Sequence, residues 1–224
     1  MRRQPEPELM DDAVQAAAYA QGDFAIAHQF LVDQAGRLLG DLPPEARALD
    51  LGCGPGDVTV RFARAWPGWH IDAVDGAEAM LALARARLRA EALQARVRLY
   101  RAVLPHDPLP GSGYQVVLSN SLLHHLHDPQ VLWSAVRAVA APAAAVYVTD
   151  LRRPADEAEL HRLIETYGAG GPAVLQRDFA ASLRAAFTVQ EVRGQLAAAG
   201  LAGLDVLALT DRHLAVVGCL RLAC

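Results

Sequence analysis

The stretch Leu49-Asp50-Leu51-Gly52-Cys53-Gly54-Pro55-Gly56 sets an acid and then three alternating glycines directly ahead of a helix-forming run. Glycines at such a turn let a ligand approach the backbone closely, and the N–H groups opening the next helix favour a negative group. The spacing does not fit the dinucleotide fingerprint G-x-G-x-x-G, because its third glycine would fall at Asp57. Downstream, the run Ile71-Asp72-Ala73-Val74 ends at Asp75, where a carboxylate can accept both hydroxyls of a ribose. Asp72 is the competing acid; strand alternation and the place of Asp75 just before Gly76 favour Asp75.

A second group of candidates is basic. His124, His125 and His127 lie beside Asp128, and an imidazole facing a crevice can take a proton from a hydroxyl or amine near neutral pH. A metal site is the other reading, but no neighbouring Glu or Cys completes a ligand set, so no metal is expected. Arg152 and Arg153 follow Asp150 and can grip a carboxylate or phosphate, or simply pair with Asp156 and Glu157 on a solvated turn. Arg177, Asp178, Phe179 and Arg184 suit a lid, or equally a solvated helix face over buried Phe179 and Phe187. Arg152 and Arg177 are the candidates for contact with a substrate. Cys53 reads as a small turn residue rather than a nucleophile, since no base is paired with it in sequence.

These residues need a scaffold that brings strand ends together. From Ala46 onward, strand and helix patterns alternate: Ala48–Leu51 strand, Asp57–Trp66 helix, Ile71–Val74 strand, Ala77–Ala90 helix, Val97–Val103 strand, Gln115–Leu118 strand. Asp128 and Pro129 open a further helix, as N-cap and first helical residue, and Val131, Leu132, Ala135, Val136 and Val139 form its apolar stripe. Ala143–Thr149 is a fifth strand. A more polar stretch, 155–187, reads as a helical insertion broken at Gly168-Ala169-Gly170-Gly171-Pro172. Thr188 and Glu191 have capping-box spacing, and their helix closes at Gly200. The last two strands, Leu204–Leu209 and His213–Leu220, are joined too tightly for a crossover helix and form an antiparallel hairpin. Ahead of all this, residues 1 to about 10 read as a frayed tail, and helices near 11–20 and 23–40 as an N-terminal cap. The expected division is a tail and cap over 1–45 and an α/β domain over 46–224.

The 224 residues are 53% apolar and 21% charged, enough for one globular domain with a sizeable core. Alanine fills 44 positions and aromatics only 6%, which calls for closely packed layers of helix and β-branched strand. All 21 basic residues are arginine, so lysine chemistry, Schiff base or P-loop, is excluded. A net charge of −4, without a dense basic block, argues against a nucleic acid as partner. Three scattered cysteines form no disulfide framework, and no run approaches the ~18 apolar residues of a membrane span. A cytoplasmic setting without membrane attachment is expected.

At this point the chain resembles the class I S-adenosylmethionine-dependent methyltransferases. Leu49–Gly56 is similar to the family's first motif, Val74-Asp75-Gly76-Ala77-Glu78-Ala79-Met80-Leu81 to its second, and Leu118–Pro129, with Leu-His-His-Leu, to its fourth-strand motif. The resemblance implies a Rossmann-like three-layer α/β sandwich: a seven-stranded, mostly parallel sheet with an antiparallel last strand. It also implies S-adenosylmethionine as cofactor. Gly52, Cys53 and Gly54 would lie against its methionine part with Asp50 near the amino group. Asp75 would hold the ribose, and Gly76 and Met80 would pack beside the adenine. Asn120 would flank the methionine end, and Tyr19 would close over the whole. The family usually has an acid and a small residue after the third strand. Here Arg101-Ala102-Val103 stands instead, so backbone at Ala102 and Val103 is expected to make that contact. Tyr114-Gln115 replaces the common Phe-Asp opening the fourth strand and is read as local packing.

The implied activity is methyl transfer to an oxygen, nitrogen or carbon of a small molecule, in which alignment alone supplies ~7–11 kcal/mol. Where the acceptor must lose a proton, His124 and His125 come first, then Tyr19 or His28. Two alternatives stand beside it. One is methylation of RNA or protein, disfavoured by the charge and by Ser119-Asn120-Ser121-Leu122, which lacks a Pro-Pro-aromatic step. The other is a non-catalytic protein that binds the cofactor or its product.

Overall fold

The computed structural model describes residues 1–9, 11, 16, 22 and 24–220. Strands β1 (Glu45–Leu51), β2 (Gly68–Asp75), β3 (Val97–Arg101), β4 (Tyr114–Asn120), β5 (Ala140–Leu151), β6 (Asp205–Ala208) and β7 (His213–Cys219) form one sheet in the order β3-β2-β1-β4-β5-β7-β6. All pairings are parallel except those of β7, which runs antiparallel to β5 and β6. The sheet is therefore the Rossmann-like, mostly parallel one expected, with the β6–β7 hairpin as its last turn. The chain reverses its direction of travel across the sheet between β1 and β4. There the crossovers leave to opposite sides, and a crevice opens outside the carboxyl ends of the strands.

Seven helices accompany the sheet among the described residues: α1 (Ala25–Leu39), α2 (Asp57–Ala65), α3 (Glu78–Ala90), α4 (Gln130–Val139), α5 (Glu157–Tyr167), α6 (Ala173–Ala185) and α7 (Val189–Ala198). Burial on both faces accounts for the consecutive apolar residues Ala48-Leu49 in β1 and Val116-Val117-Leu118 in β4. Leu49 and Leu51 face a core with Trp133, Val136 and Leu196, while Ala48 and Val116 face another with Phe62, Trp69 and Tyr147. The few large aromatics are concentrated here: Trp66 and Trp69 stack with centroids 4.6 Å apart, and the Tyr147 hydroxyl donates to the Leu31 carbonyl at 2.7 Å. The Thr188–Glu191 capping box forms in full. At α4, Pro129 is itself the cap and the Asp128 carboxylate accepts from Gln130 N at 2.9 Å, so the helix starts one residue later than expected.

The insertion folds as α5 and α6 with the break at 168–172 as expected, and their buried Leu160, Leu163 and Leu183 pack with Leu151. The helix expected near 11–20, apart from Asp11 and Ala16, lies outside the described residues, and so does Tyr19. One expectation fails clearly. Residues 1–9 are not a frayed tail but run across the carboxyl edge of the sheet. There Arg3 donates to the carbonyls of His124, Leu126 and Ala185, and Gln4 N donates to Arg184 O at 3.0 Å. A segment held through a guanidinium and backbone carbonyls has no apolar period to reveal it in sequence. No helix among the described residues is long and apolar enough to cross a membrane.

Candidate active site

A cleft of about 1210 Å³ opens at the switch point, and most of the candidate residues meet in it. Its floor is the turn after β1. Gly52 and Cys53 both donate their N–H to the Val74 carbonyl, which ties this turn to β2. Gly52 has φ +75°, and a Cβ there would lie 2.8 Å from Cβ of Leu122, so only glycine lets the turn pass under the loop after β4. Gly54 also has positive φ, yet a Cβ there would meet nothing within 4 Å: the space over its backbone is open cleft. Asp75 braces this turn from β2, its carboxylate accepting from Gly54 N and from Ala77 N, both at 2.8 Å. Burial pushes the Asp75 carboxyl up, against those backbone hydrogen bonds. Asp50 is buried one residue before the β1 terminus and accepts from the Thr59 hydroxyl at 2.6 Å. Burial raises it to about 6, which leaves it mostly ionised at neutral pH and able to receive an ammonium. Burial holds the Cys53 thiol well above its ordinary value, consistent with a turn residue.

Gly76, Met80, Ala102, Val103 and Asn120 also line this half. The backbone N–H groups after β3, where a contact is expected, already have partners. Ala102 N donates to Asp75 O at 3.0 Å and Val103 N to the Asp107 carboxylate at 2.9 Å, so neither N–H is free. Ala102 and Val103 both line the cleft. The Asn120 amide is oriented by the Thr149 hydroxyl, which donates to Oδ1 at 2.7 Å. His28, a reserve candidate for a base, also lines the cleft, with its Nδ1 2.6 Å from Asp57, which also binds Arg61 and Arg87. Burial works against the Asp57 carboxylate, but the bonds from His28 and Arg61 outweigh it and hold the carboxyl far below its ordinary range.

The other half is made of side chains. His124 is buried at the end of the β4 loop, with Nδ1 2.5 Å from Asp150 at the end of β5. Burial disfavours its charge, but Asp150 outweighs that and raises the imidazole above its ordinary value. His125, whose ring is 4.2 Å from that of His124, is driven down to about 3 by burial and by its neighbour. The two histidines thus differ in kind: one has an ionic partner behind it, and the other is neutral across the physiological range. Glu6 completes the group from the amino-terminal segment. Its Oε1 lies 3.4 Å from His124 Nε2 and 3.3 Å from His125 Nδ1, and Ser182 Oγ donates to its carboxylate at 3.0 Å. These three donor groups lie within 4.8 Å of one another, so the structure supplies the carboxylate that the local sequence lacks.

The two arginines expected at the substrate are not in the cleft. Arg152 Nε donates to Thr210 O at 3.1 Å, and Arg177 is exposed beside its own neighbour Asp178. Arg212 lines the cleft instead, its guanidinium carbon 3.4 Å from the centroid of the Tyr167 ring. Sequence reasoning missed Glu6, Asp150, Ser182 and Arg212 as site residues. For Asp150 a signal existed, since it sits at a strand end like Asp50 and Asp75; for the others there was none.

Residues 48–143 match the model of a methyltransferase domain family. The sheet order and the switch-point cleft agree with that match. Among relatives, 135 residues are 35% identical to a trans-aconitate 2-methyltransferase of Variovorax paradoxus, covering 58% of this chain and 48% of that protein. A putative S-adenosyl-L-methionine-dependent methyltransferase of Methanococcus maripaludis shares the fold at TM-score 0.71 and 14% identity, with 96% of each chain covered. A SAM-dependent methyltransferase of Aquifex aeolicus does so at TM-score 0.66 and 16% identity, over 93% of this chain and 98% of that one. The chain spans about half the length of the first curated relatives it matches.

Proposed function

We propose that the protein transfers a methyl group from S-adenosylmethionine to a small-molecule acceptor. The observation that carries this reading is the continuity of the cleft, in which the Gly54–Asp75 pair and the Asp150-backed imidazole of His124 line one space. The residues present fit the cofactor. Buried Asp50 and Asp75 are acceptors for an ammonium and for ribose hydroxyls, the space over Gly54 is open, and Ala102 with Val103 gives apolar packing for a base. When bound, the cofactor supplies an electrophilic methyl on a positively charged sulfur. We further propose the assignment of Gly52, Cys53, Gly54, Gly76, Met80 and Asn120 to the cofactor, as the resemblance implies.

The chain's own part is to align, to exclude water and to hold a proton. His124 Nε2 lies 3.4 Å from Glu6 Oε1 while Nδ1–H is donated to Asp150, a tautomer in which Nε2 can accept a proton from an acceptor hydroxyl once the Glu6 carboxylate is displaced. Asp150 acts as a positioning residue that also stabilises the imidazolium so formed. His125, with its charge disfavoured by burial, serves as wall rather than base. The α5–α6 insertion roofs the acceptor side and excludes water. The acidic net charge supports a small molecule rather than a nucleic acid as substrate, and the free Cys53 and Cys219 suit a reducing, cytoplasmic setting.

Calorimetric titration of S-adenosylhomocysteine into the native chain and into Asp75→Ala, with NAD as the control ligand, tests the reading. Binding to the native protein alone, and none of NAD, is the expected result. No binding of S-adenosylhomocysteine to the native chain would remove the methyltransferase reading altogether.

A further inference from the structure

We propose that the pocket walled by His124, His125 and Ser182 is a subsite for a carboxylate carried by the acceptor, and that the chain's own Glu6 fills it in this structure. The inference deepens the methyltransferase reading and rests on it.

The amino-terminal segment has anchors that do not involve the Glu6 carboxylate. On one side, Arg3 reaches three carbonyls, and its guanidinium carbon lies 4.0 Å from the centroid of the Phe187 ring. On the other side, His127 N donates to Glu8 at 2.8 Å, and the Glu6 backbone carbonyl is 2.9 Å from His127 Nε2. The segment is thus held before and after Glu6 by its own bonds. The Glu6 side chain is left to enter the cleft wall, where it is 13% exposed.

What it meets there is a receptor for a planar anion. The Ser182 hydroxyl is 3.0 Å from one carboxylate oxygen and 3.3 Å from the other. The imidazole nitrogens of His124 and His125 flank one of those oxygens at 3.4 and 3.3 Å. His125 Nδ1 is also 3.4 Å from Pro7 O, so the direct hydrogen bond comes from Ser182 and the rings add charge and shape: a hydroxyl bridging a flat anion beside a cationic ring suits a carboxylate. The wall also limits charge. Asp150 lies behind His124, and Asp178 is the second acid acting on Glu6, so a doubly charged phosphate is disfavoured where a single carboxylate is balanced by His124 and Arg3. Two carboxylates cannot share this wall, because like charges in one desolvated site repel strongly. Glu6 and an acceptor carboxylate are therefore mutually exclusive, and the tethered one competes at an effective concentration of order millimolar.

The cofactor side of the cleft is free of this competition, which makes the test clean. Glutarate, the small-molecule counterpart of a glutamate side chain, is titrated with saturating S-adenosylhomocysteine into the native chain, Glu6→Ala and Arg3→Ala. Catechol and propylamine serve as acceptors without a carboxylate. Vacating the wall is expected to tighten glutarate binding about tenfold or more in Glu6→Ala, since a tethered competitor is removed. Arg3→Ala, which loosens the segment while keeping Glu6, is expected to show a smaller gain in the same direction. Binding of catechol and propylamine is expected to change less than about twofold. If Glu6→Ala binds S-adenosylhomocysteine as the native chain does, yet shows no gain for glutarate, the proposal is overturned while the methyltransferase reading stands. Stoichiometric Zn²⁺ binding by the native chain, abolished in Glu6→Ala, would make the cluster a cation site and overturn it as well. Tight binding of an acidic peptide without any of glutarate would likewise overturn the assignment to a small acid.

Discussion

The half of the cleft proposed for the cofactor is built by backbone, and the half proposed for the acceptor by side chains from separate segments. In the first, a glycine turn between adjacent strands is fixed by N–H bonds to Val74 O and to the Asp75 carboxylate, all within residues 50–80. In the second, Glu6, His124, Asp150, Ser182 and Arg212 converge from five places in the chain. Backbone geometry tolerates little variation, and a ligand common to a fold class is held by it. Side chains on loops and insertions can be exchanged without disturbing the sheet, which is where substrate specificity resides. Substitutions in the two halves should therefore separate binding of the cofactor from turnover of the acceptor.

The sharpest separation is expected at His124. His124→Gln should lower kcat/KM about 10²–10³-fold, the range for a general base, while leaving S-adenosylhomocysteine binding within about twofold. Steady-state kinetics and calorimetry on the same preparation measure both. The pH dependence follows from the groups facing the ring: Asp150 and Glu6 favour its charge, whereas burial and Arg3 oppose it, and the net direction is upward. A base works when unprotonated, so activity should climb only as pH rises past the ordinary imidazole value. Asp150→Asn should move that limb to lower pH. The same raised imidazole adds stability that is fully present below its unfolded value and fades as pH rises through its folded one. The native melting temperature should accordingly fall over that window, more steeply than that of Asp150→Asn.

On the cofactor side the expected loss is of affinity. Asp75→Ala strips the partner from Gly54 N and Ala77 N and removes the acceptor proposed for the ribose. Charged hydrogen bonds of this kind are worth about 1.5–3 kcal/mol, so affinity for S-adenosylhomocysteine should drop about 10–100-fold. A drop confined to turnover would place the cofactor elsewhere in the cleft and dissolve the division between the halves.

How much of each half could be read beforehand follows from the same contrast. Asp50, the glycines and Asp75 were legible because their constraint is local: a strand end, a turn requiring positive φ, an acid at the next strand end. The sheet and the β6–β7 hairpin were legible from period and loop length. Glu6 was not, because its relation to His124 spans more than a hundred residues and is set by Arg3 reaching carbonyls, which any sequence supplies. Arg152 and Arg177 were plausible by charge and by position near strand ends and in the insertion, yet charge alone does not say which way a side chain points. Arg152 turns to Thr210 O and Glu159, and Arg177 to solvent.

Two glycines sharpen the comparison within the cofactor half itself. Gly52→Ala places a left-handed residue where its Cβ sits 2.8 Å from Leu122, so the turn must shift. A left-handed alanine costs about 1–2 kcal/mol before that contact is counted, and at roughly 2–4 °C per kcal/mol for a chain this size the melting temperature should fall by about 5 °C or more. Gly54→Ala carries a similar backbone cost but meets no atom within 4 Å. Its loss of melting temperature should be smaller, about 2–4 °C. The methyl group would instead stand in the space assigned to the ligand, and affinity for S-adenosylhomocysteine should fall about tenfold. Equal thermal losses and equal affinities in the two variants would mean that the open space over Gly54 is not where the ligand lies.

The smallest effect is expected where the sequence first pointed for substrate contact. The Arg177 side chain is 75% exposed and lies 3.4 Å from Asp178, the next residue along its own helix. Exposed pairs of that kind contribute about 0–1 kcal/mol, so Arg177→Ala should leave both kcat and KM within about twofold. Arg212 is the informative partner for this measurement. Its side chain is 17% exposed, and its guanidinium covers the Tyr167 ring at the roof of the cleft, a contact worth about 0.5–2 kcal/mol when desolvated. Removing it frees the end of α5 and the 168–172 break, which carry the roof, and should raise the acceptor KM severalfold while leaving S-adenosylhomocysteine affinity unchanged. A larger KM effect from Arg177 than from Arg212 would mean that the α5–α6 insertion swings its exposed face inward during turnover. The acceptor half would then be assembled by closure rather than standing open as it does here.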